Sequence, residues 1–247
     1  MSRILCVNGP RMVAPAAHRP PGPLPKTDRR TVLVDLTLGL THGMPVAPGY
    51  PTPVVLPYPA VGDRATTYIS TAEHVATHVD APLRFAPRRS AIDELGLDWF
   101  TGKAVCLDLR HVPDLGEIDV RWLERAEEEA NVRVDSHIVL LCTGFHARHW
   151  PRPEVLTRNP GLTADATHWL ADRRSKAHGV EGPSTDVAGR DDLPSHAVCA
   201  ARSLIHYEWL INLEQLVGKG EFTFHGYPLR VIGASGSPVR ALAELPW

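Results

Sequence analysis

Apolar positions recur along this chain at two periods, and the two kinds of segment alternate. From Ile138 to Cys142 every residue is apolar, and Thr143-Gly144 closes the run. That length and composition predict a strand buried on both faces. Lys103 to Leu109 and Thr31 to Thr37 read as strands too, Leu204 to Tyr207 is extended, and Phe222 to Ile232 and Val239 to Leu242 end the series. Helical spacing governs the segments between. Asp119 can cap a helix through Ala130 with Trp122, Leu123 and Ala126 on one stripe. Thr163 opens a helix over Ala166, Trp169 and Leu170, and Ser195 caps another through Ala201. Prolines fix a loop from Gly43 to Pro51, residues 86–102 read as loop and short helix, Gly182 to Asp186 is a turn, and Leu213 to Leu216 is a helical turn. Interleaved strands and helices place the chain in the α/β (mixed) class.

Strand character also runs from Thr66 to Val79, ended by Pro82, and it carries the chemistry. His74, His78 and Asp80 all fall at even positions. On one extended strand they would project from one face, while Val75 and Val79 turned to the core. A helix would align the two imidazoles and swing Asp80 away. Two nitrogens and a carboxylate on one face are a metal site with room left for water.

Composition narrows the function without naming it. A net charge of −2, with no basic excess, excludes an electrostatic nucleic-acid binder. No apolar stretch approaches the ~20 residues of a membrane span. Four cysteines are far apart, with Cys106 and Cys142 inside apolar runs, so reduced thiols and a cytoplasmic setting are expected. Residues 1–30 hold six prolines and six basic residues against one acidic residue. They read as a flexible Pro-rich tail ahead of a single domain at 31–247.

The segment from His74 to Pro82 resembles the signature of the cyclase and kynurenine formamidase family of metal-dependent hydrolases, His-x-Gly-Thr-His-x-Asp-x-Pro-x-His. His74, Thr77, His78, Asp80 and Pro82 match it; Ala76 replaces the glycine and Arg84 the last histidine. The likeness continues in order through the loop at Gly43, the stretch from Leu97 to Val105, Thr143-Gly144-Phe145, Pro160 to Leu162, and the turn Gly179 to Asp186. Beyond these come His196 and Glu208, twelve apart, then Leu210 to Leu213, and the segment Gly233 to Arg240.

The resemblance implies a swivelling β/β/α-type domain with a central mixed sheet or barrel-like core flanked by helices. It implies a homo-oligomer, dimer or tetramer, and a zinc or manganese site. Two chemistries come with it: hydrolysis of a small amide, formamide or lactam-like substrate, and ring closure of the polyketide type found in antibiotic biosynthesis. On it, His74, His78 and Asp80 hold the metal. His196 and Glu208 lie beside it, as ligands of a second metal or as proton-handling groups. His196 is read as general acid or base, and Glu208, between Tyr207 and Trp209, as a carboxylate of raised pKa. Arginine has no lone pair for a metal and would repel a second cation, so one divalent metal is expected. Arg84 is left to clamp a substrate anion or an oxyanion. A relative that binds a ligand without catalysis is the remaining alternative. Ser184 and Asp186 offer an orienting turn.

Overall fold

The run Ile138–Cys142 lies at the centre of a curled nine-stranded mixed sheet, and all five of its residues are buried. The computed structural model describes residues 31–61 and 64–246, so the reading of 1–30 as a tail lies outside the described residues. The strands are β1 (Thr31–Asp35), β2 (Val54–Val61), β3 (Arg64–Ser70), β4 (His78–Asp80), β5 (Thr101–Asp108), β6 (Glu117–Ile118) and β7 (Ile138–Cys142). They continue with β8 (Gly161–Leu162), β9 (Ala177–Val180), β10 (Ile205–Glu208), β11 (Phe222–His225), β12 (Gly236–Pro238) and β13 (Leu242–Pro246). The large sheet runs β1-β13-β11-β5-β7-β9-β10-β4-β12, with β5, β7, β9 and β10 parallel and the rest antiparallel. The helices are α1 (Val120–Ala130), α2 (Phe145–His149), α3 (Ala164–Asp172) and α4 (Pro194–Arg202).

Alternation along the central strands feeds two cores. Ile138, Leu140, Ala104, Cys106, Tyr207 and Phe224 pack on one face. Val139, Leu141, Val105 and Leu107 pack on the other against Leu123 and Ala126 of α1 and Ala166 and Leu170 of α3. A parallel strand covered on both sides has no polar face, hence the unbroken apolar run. The two predicted caps hold: Asp119 accepts from the amides of Arg121 and Trp122, and Thr163 from that of Ala166.

Three expectations are corrected. The stretch from Thr66 to Val79 is not one strand: β3 stops at Ser70, a turn follows, and only His78–Asp80 is extended. Ala76 there is left-handed at φ 57°, and the Thr77 hydroxyl bonds the Trp209 carbonyl at 2.5 Å while accepting from the Leu38 amide at 2.8 Å. These ties fold the turn back on itself. The hairpin β2–β3 forms although Val54–Val61 contains two prolines; in a two-stranded sheet the missing donors can face outward. The last strands are shorter and shifted, Phe222–His225, Gly236–Pro238 and Leu242–Pro246. Ser195 does not cap α4. Pro194 is its first residue, and the carboxylate of distant Asp186 accepts from the Ser195 amide at 2.6 Å and the His196 amide at 3.3 Å.

Candidate metal centre

Antiparallel pairing of β4 with β10 sets Asp80 opposite His206 and His78 opposite Glu208. Val79 and Tyr207 point to the first core, so the four polar residues share the opposite face, beneath α4. His74 joins them from the turn, and His196 from the first turn of α4. All six are buried. All but His206 line a cleft of about 500 Å³ whose wall includes Tyr50, Arg84, Phe85 and Ser184. Tight backbone approach holds the rim: a Cβ on Gly236 of β12 would lie 2.5 Å from the His74 ring and 2.7 Å from the Val79 carbonyl.

Neighbours fix which nitrogen of three imidazoles faces the cleft. The Ala76 carbonyl takes a hydrogen bond from His78 Nδ1 at 2.8 Å, so Nε2 is the nitrogen that faces inward. Asp186, itself fully buried, holds His196 Nδ1 in a short bond, so Nε2 again points inward. Ser235 Oγ donates to Glu73 at 2.5 Å and therefore accepts from His74 Nε2 at 2.9 Å, which turns His74 Nδ1 inward. Inward, His74 Nδ1 lies 2.6 Å and His78 Nε2 3.3 Å from Asp80 Oδ1. His78 Nε2 is 3.4 Å from Glu208 Oε2, and His196 Nε2 is 3.4 Å from Glu208 Oε1.

The electrostatics are those of a site built for positive charge. Burial disfavours the imidazolium of His78, yet Asp80 and Glu208 outweigh it and raise its pKa to about 10. Burial likewise opposes charge on His196, and Asp186 and Glu208 overcome it, to about 9. Asp80 is held well below the usual carboxylate range by His74 and His78 despite its burial. The expectation of a raised pKa for Glu208 is corrected: desolvation does push it up, but His196, His206 and His78 pull it down further, and it is an anion.

The residues fit a divalent cation. His74, His78 and Asp80 form one group whose ligand atoms all lie within 4.8 Å of one another, and Asp80, His196 and His206 form a second. The buried Nε2 of His78 has no hydrogen-bond partner, which in a protein interior is costly unless something else takes its lone pair. Arg84, the sixth expected site residue, does not enter this cluster. Its Nε is 3.7 Å from Asp80 Oδ2, while its NH2 bonds the Tyr50 hydroxyl and its guanidinium lies over the rings of Tyr50 and Phe85. Phe85 in turn packs on His196 at 4.3 Å between ring centroids.

Sequence reasoning did not single out His206. The signal was present: His206-Tyr207-Glu208 repeats the polar, apolar, polar alternation of His78-Val79-Asp80. Tyr50 gave no such signal, because only folding brings its loop over the cleft.

With this geometry in hand, comparison with known proteins is informative. The model of the family described as Putative cyclase matches residues 34–187. A kynurenine formamidase of Salinibacter ruber is 30% identical over 173 residues, covering 68% of this chain and 74% of that protein. One from Bacillus cereus is 29% identical over 171 residues, covering 68% and 75%. Among solved structures, isatin hydrolase A from Ralstonia solanacearum superposes with a TM-score of 0.77 at 26% identity, covering 87% of this chain and 92% of its own. An isatin hydrolase bound to the product analogue thioisatinate gives 0.79 at 22% identity, covering 88% and 94%.

Proposed function

Because the chain belongs to the putative cyclase family, we propose that it is a metal-dependent hydrolase of a small amide, formamide or lactam-like substrate, with zinc or manganese held by His74, His78 and Asp80. The observation that carries this reading is the convergence of the inward ring nitrogens of His74 and His78 on one oxygen of Asp80 in a buried cluster. A divalent cation bound there supplies Lewis acidity toward a carbonyl oxygen and lowers the pKa of water. The chain's own groups do the rest. His196 and Glu208 line the cleft, and Asp186 fixes His196 so that only Nε2 meets it. That nitrogen either moves a proton for the departing amine or gives its lone pair to a cation. Arg84, steadied by Tyr50, faces the cleft as a fixed positive charge that can pair with a substrate carboxylate or a developing oxyanion. The relatives named above are a formamidase and isatin hydrolases, and a cleft walled by Phe85, Pro48 and Leu156 suits a small aromatic amide.

The test is hydrolysis of formylkynurenine, isatin and related amides by purified protein, with and without chelator. Turnover that chelator abolishes and zinc or manganese restores supports the reading; chelator-resistant turnover overturns it. A second reading, ring closure of a poly-carbonyl, draws on Arg84, whose charge at the cleft can hold an enolate. In that case Arg84→His would raise amide hydrolysis and lower cyclisation.

The assembly expected is a dimer or tetramer. The exposed side chains of Leu56, Tyr58, Tyr68 and Ile69 on the β2–β3 hairpin offer it apolar area to bury; light scattering on the eluted protein measures it. A cytoplasmic setting agrees with the free, buried thiols of Cys106, Cys142 and Cys199. No helix among the described residues is long and apolar enough to cross a membrane.

A further inference from the structure

The C-terminal ends of α3 and α4 meet the short helical stretch Leu97–Phe100 around a second cavity, of about 330 Å³. That volume lies at the lower end of the ~300–1,000 Å³ that small-molecule sites occupy. The cavity shares no lining residue with the cleft over His78. Helix α4 lies between them: its first turn carries His196 to the cleft, and its last residue, Arg202, lines the cavity.

Hydrogen-bond donors dominate the cavity wall. Arg174, Lys176 and Arg202 line it, against one acid, Asp98, among the described lining residues. Arg174 meets Asp135 through Nη2 alone, and Arg202 meets Asp172 through Nη2. Both pairs lie at the surface, where a carboxylate holds an arginine weakly. Arg89 adds a fourth cation at the rim, donating to the Ser203 hydroxyl and to the Ala201 carbonyl, each at 3.3 Å.

Two helix ends would ordinarily oppose an anion, because their last carbonyls carry negative partial charge. Here those carbonyls are occupied. Ala171 accepts from the Arg174 amide, Leu170 from the Ser175 amide, Cys199 from the Leu204 amide and Ala201 from Arg89. The Asp98 carbonyl takes Lys176 Nζ at 3.1 Å. What the wall has left to offer is N–H and O–H.

The second observation is Ser175. It is 8% exposed, it lines the cavity, and its buried Oγ has no hydrogen-bond partner. A buried hydroxyl without a partner is uncommon, and a ligand oxygen would satisfy it. Beside it Trp99, half-buried and packed on the first core, supplies an aromatic wall. We propose that this cavity binds a small organic oxyanion, a carboxylate or phosphate carried on a single planar ring. The cations and Ser175 take the oxygens, in the manner of charge-assisted pairs, and the indole takes the ring.

The test is titration calorimetry of the full-length protein with phenyl phosphate, benzoate and inorganic phosphate, and with neutral benzamide as control. Phenyl phosphate or benzoate is expected to saturate below ~1 mM, and benzamide is not. Their relative affinity tells which of the two anionic groups the site takes. Lys176→Gln and Arg202→Gln, both surface changes, should each weaken that binding about tenfold, whereas Arg84→Ala and His78→Ala should keep it. Trp99→Leu should reduce the ringed anions to the affinity of inorganic phosphate. Circular dichroism shows that the variants are folded. Failure of both ringed anions to saturate, undiminished binding in both charge variants, or loss of binding in Arg84→Ala or His78→Ala overturns the inference. A preference for ringed anions that survives in folded Trp99→Leu overturns the role of the indole.

Discussion

Two buried glutamates stand side by side at the ends of parallel neighbours, Glu181 just past β9 and Glu208 at the end of β10. Both are nearly inaccessible to solvent. Glu181 is surrounded by neutral donors: the Thr143 amide at 2.6 Å, its hydroxyl at 2.8 Å and the Phe145 amide at 3.3 Å. Burial wins there, and its pKa rises. Glu208 is surrounded by imidazoles, and its pKa falls well below the usual range. The first carboxylate is spent on shaping the loop that opens α2. The second holds negative charge in a wall of titratable nitrogens, two of which, on His78 and His206, have no hydrogen bond. Burial of an acid therefore does not mark a site by itself. What marks it is whether its partners are fixed donors or groups that exchange a proton for a metal.

The largest effect that would break this comparison is at Glu208. Glu208→Gln should lower metal content and reduce turnover by more than about 100-fold, beyond what a residue outside the ligand set costs. Metal analysis and steady-state kinetics check it. Glu181→Ala should do the opposite, costing about 3 kcal/mol in denaturant unfolding by stranding the Thr143 and Phe145 donors, with metal content unchanged. Next comes Asp186→Asn, which should weaken metal binding or turnover ~10–100-fold through the orientation of His196, measured by titration calorimetry.

The pH response separates the two regions further. In metal-stripped protein the folded pKa values of His78 and His196 are raised, to about 10 and about 9. Their contribution to stability is complete below the unfolded imidazole pKa of about 6.5 and disappears as pH rises through 9 to 10. Stripped protein should thus lose Tm across that window, while metal binding should tighten over the same range because protons no longer compete. A flat Tm from pH 6.5 to 10 would show that protons do not take the cation's place. The smallest effect is at Ala76, left-handed at φ 57°. Ala76→Gly should gain about 0.5–1 kcal/mol of stability, since glycine has no Cβ to strain there.

Much of the fold was legible in the chain. Apolar runs such as Ile138–Cys142, and caps such as Asp119 and Thr163, depend on neighbours a few residues away, and the structure keeps them where the pattern put them. The structure gathers His74, His78, Asp80, His196 and Glu208 into one candidate site, although His74 does not lie on the strand with His78 and Asp80. The sequence by itself determined residue chemistry and local period: which side chains can ligate, and that 78 and 80, or 206 and 208, share a face. Only the tertiary structure decided which faces meet. The β4–β10 register sets His206 against Asp80 across more than a hundred residues of chain. The turn at Ala76 brings His74 in from outside the strand, and Asp186 aligns His196 from another loop. Likewise, the charge of Glu208 follows from the imidazoles packed around it, because the pKa of a buried group is a property of its surroundings and not of its place in the sequence.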